Sequence, residues 1–170
     1  MQPDALAALP ALLAPLQVRA ACAADADFLA RLYAATRTDL QSVTADPALV
    51  ASIIGMQQRL QAADYRQAYP NAHYLLLEQA GSRCGRIVVD AGAVALRLVD
   101  IALLPAARGH GLGSHILRAL QGCAQAMAMP LTLSVHHSNP RARRLYLALG
   151  FQVTGRNAAS EQLMWCNTPL

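Results

Sequence analysis

The run from Leu98 to Ser114, Leu-Val-Asp-Ile-Ala-Leu-Leu-Pro-Ala-Ala-Arg-Gly-His-Gly-Leu-Gly-Ser, constrains the fold more than any other stretch of this 170-residue chain. Val99, Ile101, Leu103 and Leu104 favour a strand, and Pro105 ends it. Gly109, Gly111 and Gly113 follow at every second position. A backbone without Cβ atoms there can curl with its N–H groups turned inward, which makes a concave anion site. A helix starting near Leu112 adds its first-turn amides and the positive end of its dipole. Arg108 places a permanent charge at the lip. The stretch therefore predicts a strand, a phosphate cradle and a helix in succession.

Two common phosphate loops are excluded by named residues. A Walker-type loop ends in Gly-Lys-Ser/Thr, and this chain has no lysine. A dinucleotide fingerprint needs G-x-G-x-x-G and an acidic residue about 20 positions on. Here the glycines run G-x-G-x-G, Ser114 stands where the last would fall, and no carboxylate occurs between Ile101 and Ser160.

That same absence polarises the charge. Residues 101–160 hold six arginines and no acid, whereas the rest of the chain holds eight arginines and ten acids. The second half is a cationic field suited to an anionic ligand such as a nucleotide phosphate. Nucleic acid is disfavoured, because lysines are absent and aromatics for base stacking are few. No apolar run approaches the roughly 18 residues of a membrane span. Residues 1–15, interrupted by Pro10 and Pro15, read as a loose N-terminal extension rather than a signal peptide, and residues 16–170 as one domain. A cytoplasmic location is expected. Cys22, Cys84, Cys123 and Cys166 form no C-x-x-C pair, which favours free thiols over disulfides and gives no zinc spacing.

Taken in order, Leu16 to Ala20 reads as a first strand. Asp25 or Asp27 can cap a helix carrying Phe28, Leu29, Leu32 and Tyr33. A second helix follows Asp46 and Pro47, and Leu49, Ile53, Met56 and Leu60 recur along it as a core-facing stripe, with Val50 and Ile54 beside them. His73–Gln79, Cys84–Asp90 and Val94–Leu103 form an antiparallel meander. The helix after the glycines ends before Pro130, so the strand Leu131–Val135 must run parallel to Val94–Leu103. Asn139 caps a further helix with Pro140 in its first turn and Gly150 behind it, and two last strands close the domain.

Arg108-x-x-Gly111-x-Gly113 after an apolar strand resembles the acetyl-CoA pyrophosphate loop of the GNAT superfamily of N-acetyltransferases. Asn139-Pro-Arg-Ala-Arg-Arg-Leu-Tyr-Leu-Ala-Leu-Gly-Phe151 is similar to that family's second cofactor-binding segment. The resemblance spans roughly Gln17 to Trp165. It implies an α/β (α+β) GNAT fold: a mixed, mostly antiparallel sheet of about seven strands, about four flanking helices, and a splayed parallel pair of strands four and five. It implies acetyl-CoA as co-substrate, no metal, and direct transfer of the acetyl group to the amine of a small molecule or peptide. A homodimer would be in keeping with the family.

The resemblance also carries a set of residues. Ile101, Ala102 and Leu103 would lie against the pantetheine arm, with the Leu103 N–H facing the thioester carbonyl. Arg108, Gly109, His110, Gly111, Leu112, Gly113 and Ser114 would surround the pyrophosphate, joined by Asn139, Arg143 and Tyr146. Tyr146 takes the place of the general acid. The glutamate that many relatives carry on strand four is replaced by Arg97. The base is therefore open among His136, His137 and Asp100, with Glu78 weaker. Strand alternation is expected to put Asp100 on the face opposite Arg97. Arg141 and Arg144 offer further cations, and Tyr33, Arg37, Asp39, Tyr65, Tyr69 and Asn157 are unranked candidates for the acceptor pocket. Two rivals remain at this point: a CoA-binding sensor without turnover, and a toxin-like acetyltransferase of aminoacyl-tRNA.

Overall fold

The structure is a computed structural model that describes residues 6–41 and 46–167. Among these residues seven strands form one sheet: β1 (Gln17–Ala20), β2 (His73–Gln79), β3 (Ser82–Ala91), β4 (Leu96–Leu103), β5 (Leu131–His136), β6 (Gln152–Arg156) and β7 (Ser160–Trp165). Their order is β1-β2-β3-β4-β5-β7-β6, and every neighbouring pair is antiparallel except β4–β5. The helices are α1 (Leu9–Leu13), α2 (Ala26–Thr36), α3 (Thr38–Gln41), α4 (Pro47–Ala68), α5 (Leu112–Ala126) and α6 (Pro140–Ala148). Six helices stand among the described residues where about four were expected, the short α1 and α3 being the additions. Among the described residues no helix is long and apolar enough to cross a membrane. All four cysteines are free thiols.

The larger core fills one face of the sheet. Leu96, Leu98, Leu131 and Leu133 point into it and meet Ile116, Leu117 and Leu120 of α5. Of residues 1–15, expected as a loose extension, those from Leu6 on join that core, and residues 1–5 lie outside the described residues. Leu6, Leu9, Leu13 and Leu16 are buried, and His115 of α5 hydrogen-bonds through Nε2 to the Leu13 carbonyl at 3.0 Å. Pro10 does not interrupt this, because it lies in the first turn of α1, where a missing N–H removes no helical bond. The leucine spacing, read as a stripe, carries the segment onto α5.

The other face is covered by α2 and α4. Phe28 and Leu32 of α2 pack on Leu76 and Ala102, and Tyr33 packs with Val50 and Ile54 of α4. Here the predicted stripe is turned over. Leu49, Met56 and Leu60 are about half exposed, while Val50 and Ile54 point inward. Continuing the inward row at helical spacing brings Gln57, Gln61 and Tyr65 to the protein side. That row turns polar beyond the small core: Gln57 accepts from Arg37, and Gln61 lines a cavity. Asp46 caps α4 by accepting from the Ala48 N–H at 3.0 Å. Asp25, expected as a cap, accepts instead from Cys22 N–H, Arg19 and Arg83, and its carboxyl is held well below the usual range by the Arg19 guanidinium.

Candidate active site

The site originates in a ladder that stops early. β4 and β5 pair only at Leu96–Leu131, Arg97–Thr132 and Leu98–Leu133, although β4 continues to Leu103 and β5 to His136. Beyond Leu98 the strands part. Leu104 donates its N–H to the Cys84 carbonyl of β3 at 2.9 Å. By alternation the N–H groups of Leu103 and Ile101 point the other way, into the opening. A cavity of about 670 Å³ fills it, running between the glycine loop and α6 on one side and α2, α4 and β3 on the other.

The loop side is built from main chain. Gly109 and Gly111 have φ of 82° and 79°, in the left-handed region where side chains are strained. Gly111 caps α5, and its carbonyl accepts the His115 N–H at 3.0 Å. The N–H groups of Leu112, Gly113 and Ser114 are then first-turn amides without an i−4 partner, and all three residues line the cavity. Arg108 lines it too, but its guanidinium is turned inward. Nε donates to the Leu103 carbonyl at 2.8 Å and Nη2 to the Ala35 carbonyl at 3.4 Å, tying the end of β4 to α2. His110 departs from expectation: it does not line this cavity and instead borders a smaller hollow with Gln79, Ala106 and Ala107.

On α6, Asn139 Oδ1 accepts the Ala142 N–H at 3.1 Å, so the cap is present, and Asn139 lines the cavity as well. Tyr146 reaches in from two turns further on. It is buried against Phe151, and its hydroxyl is pushed up to about 12 by that burial and by the Asp100 carboxylate across the opening. Arg143 is not there. Its Nε is 2.6 Å from the buried Glu161, which also pairs with Arg156, so its charge is spent on β7. Arg141 lines the cavity in its place.

The opposite side is built from side chains, and its arrangement corrects a second expectation. The β3–β4 register slips between Val88 and Val89: Leu98 pairs with Val89 and Asp100 with Val88, leaving Val99 as a bulge. The extra residue shifts the alternation, so Asp100 shares a face with Arg97 and Ala102 rather than opposing Arg97. Asp100 ion-pairs with Arg86 of β3, and both line the cavity with Tyr33, Gln61 and His136. His137 does not, because its Nε2 is 2.9 Å from the Asn157 carbonyl and its ring faces away. Asn157 itself closes the β6–β7 turn through Oδ1. Glu78 pairs with Arg19 at the far edge.

Comparison with known proteins matches these features to one family. Residues 70–153 match the family model described as an acetyltransferase (GNAT) domain. The chain belongs to the GNAT superfamily. A Bacillus subtilis (strain 168) protein, provisionally named a ribosomal protein bS18-alanine N-acetyltransferase, is 37% identical over 90 residues, 51% of this chain. The match spans 58% of that relative's length. Among solved structures, the PaiA N-acetyltransferase of Thermoplasma acidophilum, in complex with coenzyme A, superposes at a TM-score of 0.65 with 15% identity, over 89% of this chain and 98% of that one. YncA of Salmonella typhimurium, solved with acetyl-CoA, gives 0.55 with 20% identity over 91% and 95%. At these identities the structures establish the fold.

Within this GNAT domain the expected residues divide cleanly. Ile101, Ala102, Leu103, Arg108, Gly109, Gly111–Ser114, Asn139 and Tyr146 converge on one cavity, together with Asp100 and His136. His110, His137 and Arg143 lie outside it. Arg86, Gln61, Leu29 and Thr36 line it without having been singled out. Arg86 was within reach of the sequence, since a meander placing β3 beside β4 brings an arginine near Asp100. Gln61 carried no signal apart from the inward row that Val50 and Ile54 begin. Among the described residues no cluster of ligating side chains could hold a metal ion.

Proposed function

We propose that the protein transfers an acetyl group from acetyl-CoA to an amine by direct attack. The observation that carries the proposal is the parting of β4 and β5 after Leu98 and Leu133. It leaves strand-edge amides facing a cavity with first-turn helix amides at one end and Tyr146 and Asp100 beside it. A phosphate-bearing, amide-containing chain fits that combination, because the first-turn amides suit its phosphates and the open strand edge suits its amide groups.

Bound acetyl-CoA would supply a thioester whose carbonyl carbon accepts the amine. The Leu112–Ser114 amides would hold the pyrophosphate, and Arg108 keeps the strand end beside them. The Leu103 N–H, which faces the opening, would donate to the thioester oxygen, and more strongly as charge develops there. Acetyl transfer forms a C–N bond, breaks the C–S bond, releases a proton from the amine and leaves a thiolate. Tyr146 gives its hydroxyl proton to that sulfur. A phenol at about 12 is a weaker acid than the thiol, ordinarily about 8.5, so its proton moves in concert with C–S cleavage. His136 takes the amine's proton, because Arg86 already occupies Asp100, the carboxylate that lines the cavity.

Free-thiol release from acetyl-CoA against small amines, amino acids and short peptides tests this. The provisional name of the Bacillus relative makes a peptide α-amine one arm. Tyr146→Phe is expected to lower kcat about 100-fold and His136→Gln by a comparable factor, with CoA affinity retained. Because Tyr146 stays protonated up to about 12, kcat/KM should rise with amine deprotonation and show no descending limb near about pH 10, where an ordinary phenol ionises. CoA binding without thiol release would leave a sensor, and no CoA binding would overturn the assignment of the glycine loop.

A further inference from the structure

We infer that the acceptor amine carries a carboxylate and that Arg97 binds it. This rests on the transferase reading above and names the acceptor class. Arg97 stands two ladder steps from Asp100 on the same face of the sheet, about 7 Å along β4. It is half-buried, and every partner it has among the described residues is neutral. Nε donates to the Tyr69 hydroxyl at 2.8 Å, and Nη2 donates to Ser134 Oγ at 2.7 Å and to Gln162 Oε1 at 3.5 Å. The guanidinium carbon lies 5.7 Å from the centre of the Tyr69 ring.

A guanidinium has five N–H groups, and those on Nη1 have no partner among the described residues. The nearby acids do not neutralise it. Asp100 is paired with Arg86. Asp90 faces Arg97 in register, but the two form no ion pair, and Asp90 Oδ2 lies 3.7 Å from where a Cβ on Gly92 would stand. Arg97 reaches the other way, across β5 to β7. Tyr69, Ser134 and Gln162 thus hold the head group in place without discharging it, as a pre-set anion site requires. Arg86 adds a second donor, its buried Nε–H having no partner.

An amine beside Asp100 and His136 would then present its carboxylate to Nη1 of Arg97. Two sources share this chemistry: the carboxylate of a free amino acid, and an acidic side chain near the N-terminus of a peptide. The test compares matched pairs. One arm uses ω-amino acids of increasing length against their primary amides, and the other uses Ala-Gly-Glu-amide against Ala-Gly-Gln-amide.

The wild type should use the acid of at least one pair about 10- to 100-fold better than its amide, the difference falling on the acceptor's KM. Arg97→Gln should bring that ratio close to one without raising the KM for acetyl-CoA, and Arg97→Lys should restore part of it. A wild type indifferent to the carboxylate overturns the inference, as does an Arg97→Gln variant that loses acid and amide alike. Should no amine release thiol, the transferase reading fails separately. Calorimetric binding of each acid and amide to the CoA-loaded protein then decides the Arg97 site alone, and equal affinities overturn it.

Discussion

The two sides of the open stretch of β4 are made of different material. Toward α5 and α6 the working groups, the Tyr146 hydroxyl apart, are main-chain amides of Leu103 and of Leu112–Ser114, positioned by glycines with φ near 80° and by a ladder that ends. Toward α2 and α4 they are side chains drawn from five elements: Tyr33, Gln61, Arg86, Asp100 and His136. A ligand common to many proteins can be held by backbone, whose geometry depends on turn and strand patterns and little on the side chains between them. A ligand particular to one protein needs side chains, and these come from wherever the fold brings them together. Substitutions on the first side should act through the backbone's support, and those on the second through chemistry.

The largest expected effect falls on that support. Leu13 is fully buried, and its carbonyl holds His115 in the first turn of α5, next to the cradle. Leu13→Ala should cost about 2–5 kcal/mol of stability, read by denaturant unfolding. CoA affinity of the folded fraction should fall with it. A loose extension would give no change, and that result would remove α1 from the cofactor side.

The same contrast explains what could be read from sequence. The strand–glycine–helix run and the Asn139–Phe151 segment are contiguous, and each residue's task is local: φ sign, cap, strand edge. Gly111, Asn139 and Tyr146, which belong to these two runs, line one cavity. The acceptor side failed for equally physical reasons. A single bulge at Val99 shifted the alternation and moved Asp100 to the face of Arg97, and alternation alone cannot place a bulge. Arg143, which the resemblance assigns to the cofactor, pairs instead with Glu161 on β7, 18 residues away and out of reach of a local reading. On α4 two apolar rows competed. The longer one, Leu49 to Leu60, lost because the inward row passes from a small core to Gln57, which accepts from Arg37, and to Gln61, which lines the cavity.

A smaller effect should come from the cradle itself. Nothing lies within 4 Å of a Cβ built on Gly111, so Gly111→Ala meets no clash and isolates the cost of a side chain at φ 79°. That cost is about 1–2 kcal/mol. It should appear as a CoA affinity weakened roughly 5- to 30-fold, with the acceptor's KM unchanged, in direct titration. Equal losses for CoA and acceptor would mean that the two sides are not separable.

The smallest effect sharpens the reading of α4. Leu60 is 57% exposed although it belongs to the row that sequence periodicity favours as core. Leu60→Ser should change unfolding free energy by no more than about 0.5 kcal/mol, as surface substitutions usually do. Its chain neighbour Gln61 lines the cavity. A helix turns about 100° per residue, so the two cannot both face inward. A loss of several kcal/mol for Leu60→Ser would therefore mean that α4 is rotated. Gln61 and the Val50–Ile54 row would then leave the acceptor side, and the wall that faces Arg86 and Asp100 would have to be rebuilt from α2 alone.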